Sequence, residues 1–505
     1  MKKRSETVNF IDYVQLNPFQ KFFYNLKEFF VNLPKNLARF FKFIALKIVA
    51  FFVGIGKAFK FYGVSFVKGD WSTKVSYVIM GFGIMVKGQI IKGLVFLAVE
   101  VGYFAYLFGF AWKYISKITY LGEVVSPAWY DDWGQKHNAV TDDSMLIMLY
   151  SVMALFVTVL FLFLYITNIK VNRALEERKK NGEHINSIRE DLSTLLDGRY
   201  HVTLLSLPTT LICIFTVMPM IFMILIAFTN FDTHHPMGGL FDWIGFQNFA
   251  DVFFDNPKKA ATFQSLVIWT LCWAVIATIS CYIVGVIFAL MINKKGIKGK
   301  AIFRTMFVMT VAVPQFVTLL LMAQMLSDGG VVNVILREWG IIGQDAQIKF
   351  LTDPWLAKIM VLVINLWIGV PFTILSASGI LMNIPEELYE SARIDGAGPV
   401  VTFVKITMPY MLFVMTPALI QQFIGNINNF NVIYFLTAGG PDNPEMYNAG
   451  DTDLLVTWLY KLTVDKADYS LAATIGILVF VFCATLSLIT FNMTKSAKNE
   501  EEFSW

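Results

Sequence analysis

Between two long apolar runs the chain carries a polar interruption, Ile384-Pro-Glu-Glu-Leu-Tyr-Glu-Ser-Ala-Arg-Ile-Asp-Gly-Ala-Gly-Pro-Val-Val-Thr-Phe-Val-Lys-Ile-Thr-Met-Pro409. Its residue types suit presentation to a partner. Pro385 fits the first position of a helix, and Glu386 and Glu387 complement the positive end of that helix's dipole. Leu388 and Ala392, four apart, share one face, with Tyr389 beside them. Gly396 can stop the helix with a positive φ, Pro399 opens a second short helix, and Pro409 marks re-entry into an apolar segment. Two readings stay open on these grounds: a helix–turn–helix along a membrane surface that a cytoplasmic partner grips, or an ordinary solvated loop.

Other chemistry is sparse. The chain has no GxxxxGK[ST] loop for ATP, no HExxH and no GxSxG. Any ATP that drives it must therefore bind another subunit. Cys213, Cys272, Cys281 and Cys483 fall inside apolar runs, with no CxxC pair or His-rich spacing, so neither a disulfide nor a metal site is implied. His234 and His235 are expected to be solvated loop residues. An ion-coupled carrier places ionisable groups at membrane depth, yet from 205 onward Arg304, Lys358 and Asp468 lie only at the ends of apolar runs. Glu100 is the exception in the chain. It is read as structural, facing a neighbouring helix or neutral, because a lone carboxylate in lipid would protonate.

The elements that position these residues follow from composition. Of 505 residues, 56% are hydrophobic, 15% aromatic and only 15% charged, far from a soluble domain. Spanning by helix takes about 20 apolar residues. Eight such stretches occur, near 91–113, 144–168, 205–230, 265–293, 302–326, 356–382, 409–427 and 468–493. A closed barrel would show short alternating segments instead. The expectation is an all-α polytopic membrane protein with about eight transmembrane helices.

Lys and Arg in the connections set the orientation. The N-terminal tail and the loops carrying Arg173, Arg178, Lys179, Lys180, Arg189 and Arg199, and Lys294, Lys295, Lys298 and Lys300, are basic and expected inside. The connections 114–143, 231–264, 327–355 and 428–467 have few cations and are expected outside. Both termini and the 384–409 loop are then cytoplasmic. Residues 20–74 mix Phe, Ile and Val with Lys42, Lys47, Lys57 and Lys60, which reads as an amphipathic helix on the anionic inner leaflet, each Lys adding about 1 kcal/mol. A further span at 40–56 is the alternative. No cleavable signal is evident, since the basic start is followed by polar residues. The expected division is a basic N-terminal region (1–75), two additional spans with their loop (76–204), a six-helix core (205–495) and a tail (496–505).

Glu390-Ser-Ala-Arg-Ile-Asp-Gly396 followed by Ile406-Thr-Met-Pro409 resembles, across its full spacing, the EAA signature of permease subunits of ATP-binding-cassette (ABC) importers. Ser391 replaces the second Ala of the consensus and Met408 the usual Leu. Trp367-Ile-Gly-Val-Pro371, Asn428-Asn-Phe-Asn-Val-Ile-Tyr, Thr437-Ala-Gly-Gly-Pro441 and Ala449-Gly-Asp-Thr-Asp-Leu-Leu455 are similar to maltose permeases of the MalF type, over roughly 200–495. The short 231–264 connection departs from enterobacterial relatives, which carry a large domain there. It resembles permeases of single-membrane bacteria, whose binding protein is lipid-anchored.

The resemblance implies a type I ABC importer permease core in the plasma membrane. Its partners would be a second, MalG-like permease, two copies of an ATPase that bind ATP and Mg, and an extracellular lipid-anchored sugar-binding protein. No cofactor on this chain and no nucleic-acid partner is implied. The loop residues Glu390, Ala392, Asp395, Gly396, Ala397 and Pro409 would couple to the ATPase, with Glu390 pairing with a cation there and Gly396 permitting the tight turn. Maltose or a maltooligosaccharide would rest midway through the bilayer against Asn365, Gly369 and Phe372 on one segment and Gln422, Asn426 and Asn429 on another. Such amides suit sugar hydroxyls, and an aromatic face suits the ring; the other use of each amide is a hydrogen bond to a neighbouring helix. Around Val311, Pro314 and Gln315 this chain has valine and glutamine where maltose permeases can place tyrosine and serine. Phe372 also lacks a tyrosine hydroxyl. A self-sufficient carrier or channel, with Glu100 as its suggestive residue, is the alternative function, and no constellation supports a membrane enzyme.

Overall fold

The computed structural model describes residues 60–493, except 131, 132, 134, 138, 199, 236, 295, 297 and 298, and a few positions between 42 and 56. The tail at 496–505 falls outside the described residues, as do more than half of the expected amphipathic region over 20–74 and about half of the optional span at 40–56.

Membrane-length helices dominate. They are α1 (Ile90–Ile115), α2 (Ser144–Lys180), α3 (Tyr200–Ile226), α4 (Pro257–Asn293), the broken pair α5 (Lys300–Ala312) and α6 (Gln315–Leu326), α7 (Pro354–Met382), then after the short α8 (Glu386–Ile394), α9 (Pro399–Ile427). Two short helices, α10 (Phe430–Thr437) and α11 (Leu455–Val464), precede α12 (Tyr469–Met493). Among the described residues seven helices are long and apolar enough to cross a membrane, and eight if the broken pair is one span. This is the all-α polytopic architecture expected.

Helix starts obey capping chemistry. Asn256 accepts the Lys259 N–H at 3.1 Å ahead of Pro257, and Asp353 accepts the Trp355 and Leu356 N–H groups at 3.1 and 2.9 Å ahead of Pro354. These caps start α4 eight residues before the apolar run that signalled it, because Lys258 and Lys259 occupy its first turn.

The run at 302–326 is not one straight span. It bends by 86° between α5 and α6, where Val313 is extended (φ −74°, ψ 128°) ahead of Pro314. Proline lacks the N–H to continue the helix and excludes the residue before it from helical geometry. Pro409 lies within the continuous helix α9, in the first turn of its regular stretch Met408–Ile427 and just after a π-turn over Phe403–Thr407. The wider turn makes room for a residue that neither donates nor tolerates a close carbonyl four positions back.

The chain divides into two compact units, residues 1–110 with 155–208, and 111–154 with 209–505. In the first unit Asp70 caps a short helix, Trp71–Val75, accepting the Thr73 N–H at 2.7 Å. Burial alone would raise the Asp70 carboxyl, but the Thr73 bonds and Lys87 hold it down to about 2. The buried Lys87 ammonium reaches Asp70 (3.2 Å), Ser72, Thr73 and Asn172 (2.6 Å). Glu176, also buried, accepts from Thr73, Arg173 and Lys180. Glu100 is buried and accepts the Met80 N–H at 2.8 Å, a structural use that matches its expected role.

In the second unit α4 packs against both α7 and α9, around Trp273, Ala274, Ala277, Val361, Ile364 and Ile427. Residues 111–154, expected with the N-terminal spans, belong here: Leu121, Ile147 and Met148 share a buried cluster with Ile226, Phe231, Phe241 and Ala473. The 114–143 connection forms two small antiparallel ladders, β1 (Val124–Ser126) with β4 (Val140–Thr141) and β2 (Trp129–Tyr130) with β3 (Lys136–His137). His235 is not simply solvated. It is half-buried, with Nδ1 2.9 Å from Asp232 Oδ1 and Nε2 3.3 Å from Asn230. The four cysteines are free.

Candidate functional site

The polar interruption folds as its residue types dictate. α8 begins after Pro385, with Glu386 and Glu387 in its first turn. At its other end the Ala397 N–H donates to the Ala392 carbonyl at 2.9 Å and the Gly396 N–H to the Arg393 carbonyl at 3.1 Å. That pair of bonds is a Schellman C-cap, and Gly396 takes the left-handed conformation it requires, φ +73°. Pro399 then opens α9 with Gly398 as its N-cap.

Of the expected coupling residues, Ala392 is buried, Ala397 half-buried, and Glu390, Asp395, Gly396 and Pro409 are exposed. Glu390 makes no ion pair among the described residues. Tyr389 reaches back, its hydroxyl 3.0 Å from that of the buried Thr407 in α9. Beneath α8 lies a cleft of about 760 Å³, walled by the ends of α4 and α7 and the start of α9.

The seven expected sugar contacts separate into two groups. Asn365 and Asn426 are buried, and Asn429 lies between them, its Nδ2 donating to Asn365 Oδ1 at 3.5 Å and to Asn426 Oδ1 at 3.4 Å. Asn426 also donates to Thr278 Oγ1 at 3.0 Å, and its carbonyl accepts the Trp273 indole at 3.1 Å. Asn429 Oδ1 caps α10 by accepting the Val432 N–H. These amides join α4, α7, α9 and α10 to one another. Gly369 sits where α7 meets α4: a Cβ there would lie 2.6 Å from Cys281 Sγ and 4.0 Å from Gln422 Nε2. Close approach through a small residue is the usual way membrane helices pack tightly.

Gln315 and Phe372 form the second group. Both line a separate cavity of about 210 Å³ at the break between α5 and α6, with Thr310, Val311, Pro314 and Trp367. Gln315 is the first residue of α6, and its Oε1 accepts from Asn431 of α10 at 3.3 Å. A broken helix beside a cavity exposes unsatisfied backbone N–H groups to a bound ligand.

Sequence reasoning assigned no role to Asp453, the most completely buried carboxylate among the described residues of this unit. Its Oδ2 pairs with Lys461 of α11 at 2.7 Å and accepts the Gly450 N–H at 2.8 Å. Burial pushes its carboxyl above the ordinary range, with Lys461 pulling the other way. Thr452 Oγ1 lies 2.7 Å from Thr437 Oγ1 and donates to the Gly440 carbonyl. These bonds tie the 437–454 connection into one compact loop. Its residues had been singled out by resemblance alone, since no local spacing marks a pair eight positions apart.

A model of the binding-protein-dependent transport system inner membrane component family matches residues 281–496. The maltodextrin transport system permease protein MdxF of Bacillus subtilis is 34% identical over 433 residues, 84% of this chain and 95% of that protein. The galactooligosaccharides transport system permease protein GanP of the same organism is 33% identical over 427 residues, 84% and 97%. The maltose/maltodextrin permease protein MalF of Vibrio parahaemolyticus is 35% identical over 261 residues, 51% of this chain and 49% of that protein.

Proposed function

This chain belongs to the binding-protein-dependent transport system inner membrane component family, and from that premise we propose that it carries maltose or a maltooligosaccharide into a single-membrane bacterium. Family membership makes it a permease subunit of a sugar ABC importer, not an enzyme and not a carrier or channel; ATP hydrolysis belongs to a separate subunit. The maltodextrin permease at 34% identity over most of both chains supports the glucan assignment. The observation that carries the site is the cavity at the α5–α6 break, where Gln315 supplies an amide and Phe372 and Trp367 supply aromatic surface. Polar groups beside a ring face are what sugar recognition needs.

In this reading both termini and α8 are cytoplasmic. A MalG-like permease completes the translocation path, two ATPase copies hold ATP and Mg, and a lipid-anchored protein delivers sugar from outside. ATPase closure around α8 moves α9, and the amides of Asn365, Gln422, Asn426 and Asn429 rearrange with it, passing sugar along with Gly369 and Phe372. Glu390, Asp395, Gly396 and Ala397 present the docking turn.

The galactooligosaccharide permease is similar to nearly the same degree, so the assay must compare the two sugars. Uptake of labelled maltotriose and of a galactotriose by the reconstituted complex is the test. Preference for maltotriose supports the glucan reading, and preference for the galactan overturns it.

A further inference from the structure

We infer that the cleft beneath α8 holds the phosphate headgroup of an anionic glycerophospholipid from the inner leaflet. The cleft has a volume of about 760 Å³ and is open to its surroundings on one side. Its wall is amphipathic. Leu290, Leu381, Met382 and Phe403 supply apolar surface, and Lys294 and Arg393 supply two cations. Neither cation makes an ion pair or side-chain hydrogen bond among the described residues, whereas the other polar linings are occupied. Tyr389 and Thr407 bond each other, Asn293 bonds Ser378 at 3.0 Å, and Glu386 is itself engaged. Both cations are exposed, so the cleft offers unpaired positive charge beside hydrocarbon.

The cleft opens where α4 and α7 end and α9 begins, which the proposed orientation puts at the level of the inner-leaflet headgroups. A soluble phosphate would satisfy Lys294 and Arg393 but leave the apolar wall in water; a lipid satisfies both. Charge-assisted bonds from Arg and Lys to phosphate are strong and directional. A lipid seated there braces α8 against the ends of α4 and α7, so its occupancy adjusts how firmly the coupling helix is held. The inference rests on the proposed orientation, which puts α8 at the inner leaflet.

The test is native mass spectrometry of the purified complex with its partner subunits, from nanodiscs holding phosphatidylglycerol and phosphatidylcholine in equal amounts. The wild type should retain phosphatidylglycerol, and Lys294→Gln with Arg393→Gln should lower that retention roughly tenfold. Leu290→Trp, which fills the apolar side without touching charge, should lower it too and keeps the test alive if the charge variant fails to assemble. Millimolar inorganic phosphate should not displace the lipid. Equal retention of both lipids by the wild type overturns the inference, as does unchanged retention in either variant, or displacement by phosphate alone. Sugar preference is read separately by uptake, so failure of the glucan assignment leaves lipid retention unaffected, and the reverse.

Discussion

The hydroxyls of Tyr389 and Thr407 stand 3.0 Å apart, fastening α8 to the first turns of α9. From Thr407, α9 continues without a break to Asn426, a length of roughly 28 Å at the usual helical rise. One continuous helix therefore links the contact with α8 to the amide cluster.

Removing that bond should loosen transmission without abolishing docking. Tyr389→Phe deletes one hydrogen bond, worth about 1 kcal/mol, and keeps the ring. ATP hydrolysis by the assembled complex should persist while sugar transported per ATP falls several-fold. Parallel ATPase and uptake assays in proteoliposomes check this; an unchanged ratio would show that Tyr389 does not transmit the motion.

Gly396 separates backbone cost from docking cost. No atom lies within 4 Å of where its Cβ would be, so Gly396→Ala pays only the left-handed backbone penalty, about 1–2 kcal/mol. Ala should weaken co-purification of the ATPase modestly, and Gly396→Asp, which adds a charge at the exposed turn, should abolish uptake. Normal uptake by the Asp variant would sink the coupling assignment of this loop.

Much of this turn was legible in the sequence because its determinants are local. Pro385, Gly396 and Pro399 each impose a backbone conformation by themselves, so their positions state where α8 begins and ends. The spans were legible for a similar reason, as each is an unbroken apolar run. What escaped depended on partners distant in the chain or on competing signals. Lys258 and Lys259 hid the first turns of α4, and the continuous hydrophobicity of 302–326 hid the bend that Pro314 imposes. The split of the amides from Gln315 and Phe372 arises from helix packing, which spacing along one helix does not encode.

The buried pair Asp453–Lys461 gives a pH signature. Lys461→Met leaves the carboxylate buried without its cation, expected to cost about 3–5 kcal/mol near neutral pH. The folded Asp453 carboxyl already lies above its ordinary value because of burial. A raised acid favours the folded state below its ordinary pKa, about 3.9, and that contribution is lost as pH rises through the raised value. The variant should therefore regain thermal stability relative to wild type as pH falls from neutral into the mildly acidic range. A deficit that stays constant with pH would contradict the assignment.

Three variants distinguish sugar contact from helix bonding. Phe372→Ala and Gln315→Ala alter the cavity at the break between α5 and α6 and should raise the KM for uptake several-fold with assembly intact. Asn426→Leu removes bonds to Thr278 and Asn429 and should lower the thermal midpoint of the complex, at about 0.6–2 kcal/mol per interhelical bond. If Phe372→Ala and Gln315→Ala leave KM unchanged, the cavity is not on the sugar path.

The most direct test of the central claim compares proteoliposomes holding this chain alone with proteoliposomes holding it together with its second permease and ATPase, given the binding protein and labelled maltotriose. Uptake only with the full set, and only with ATP inside the compartment that the ATPase faces, is the predicted result. Sugar flux through this chain alone, driven by an ion or sugar gradient, would contradict it.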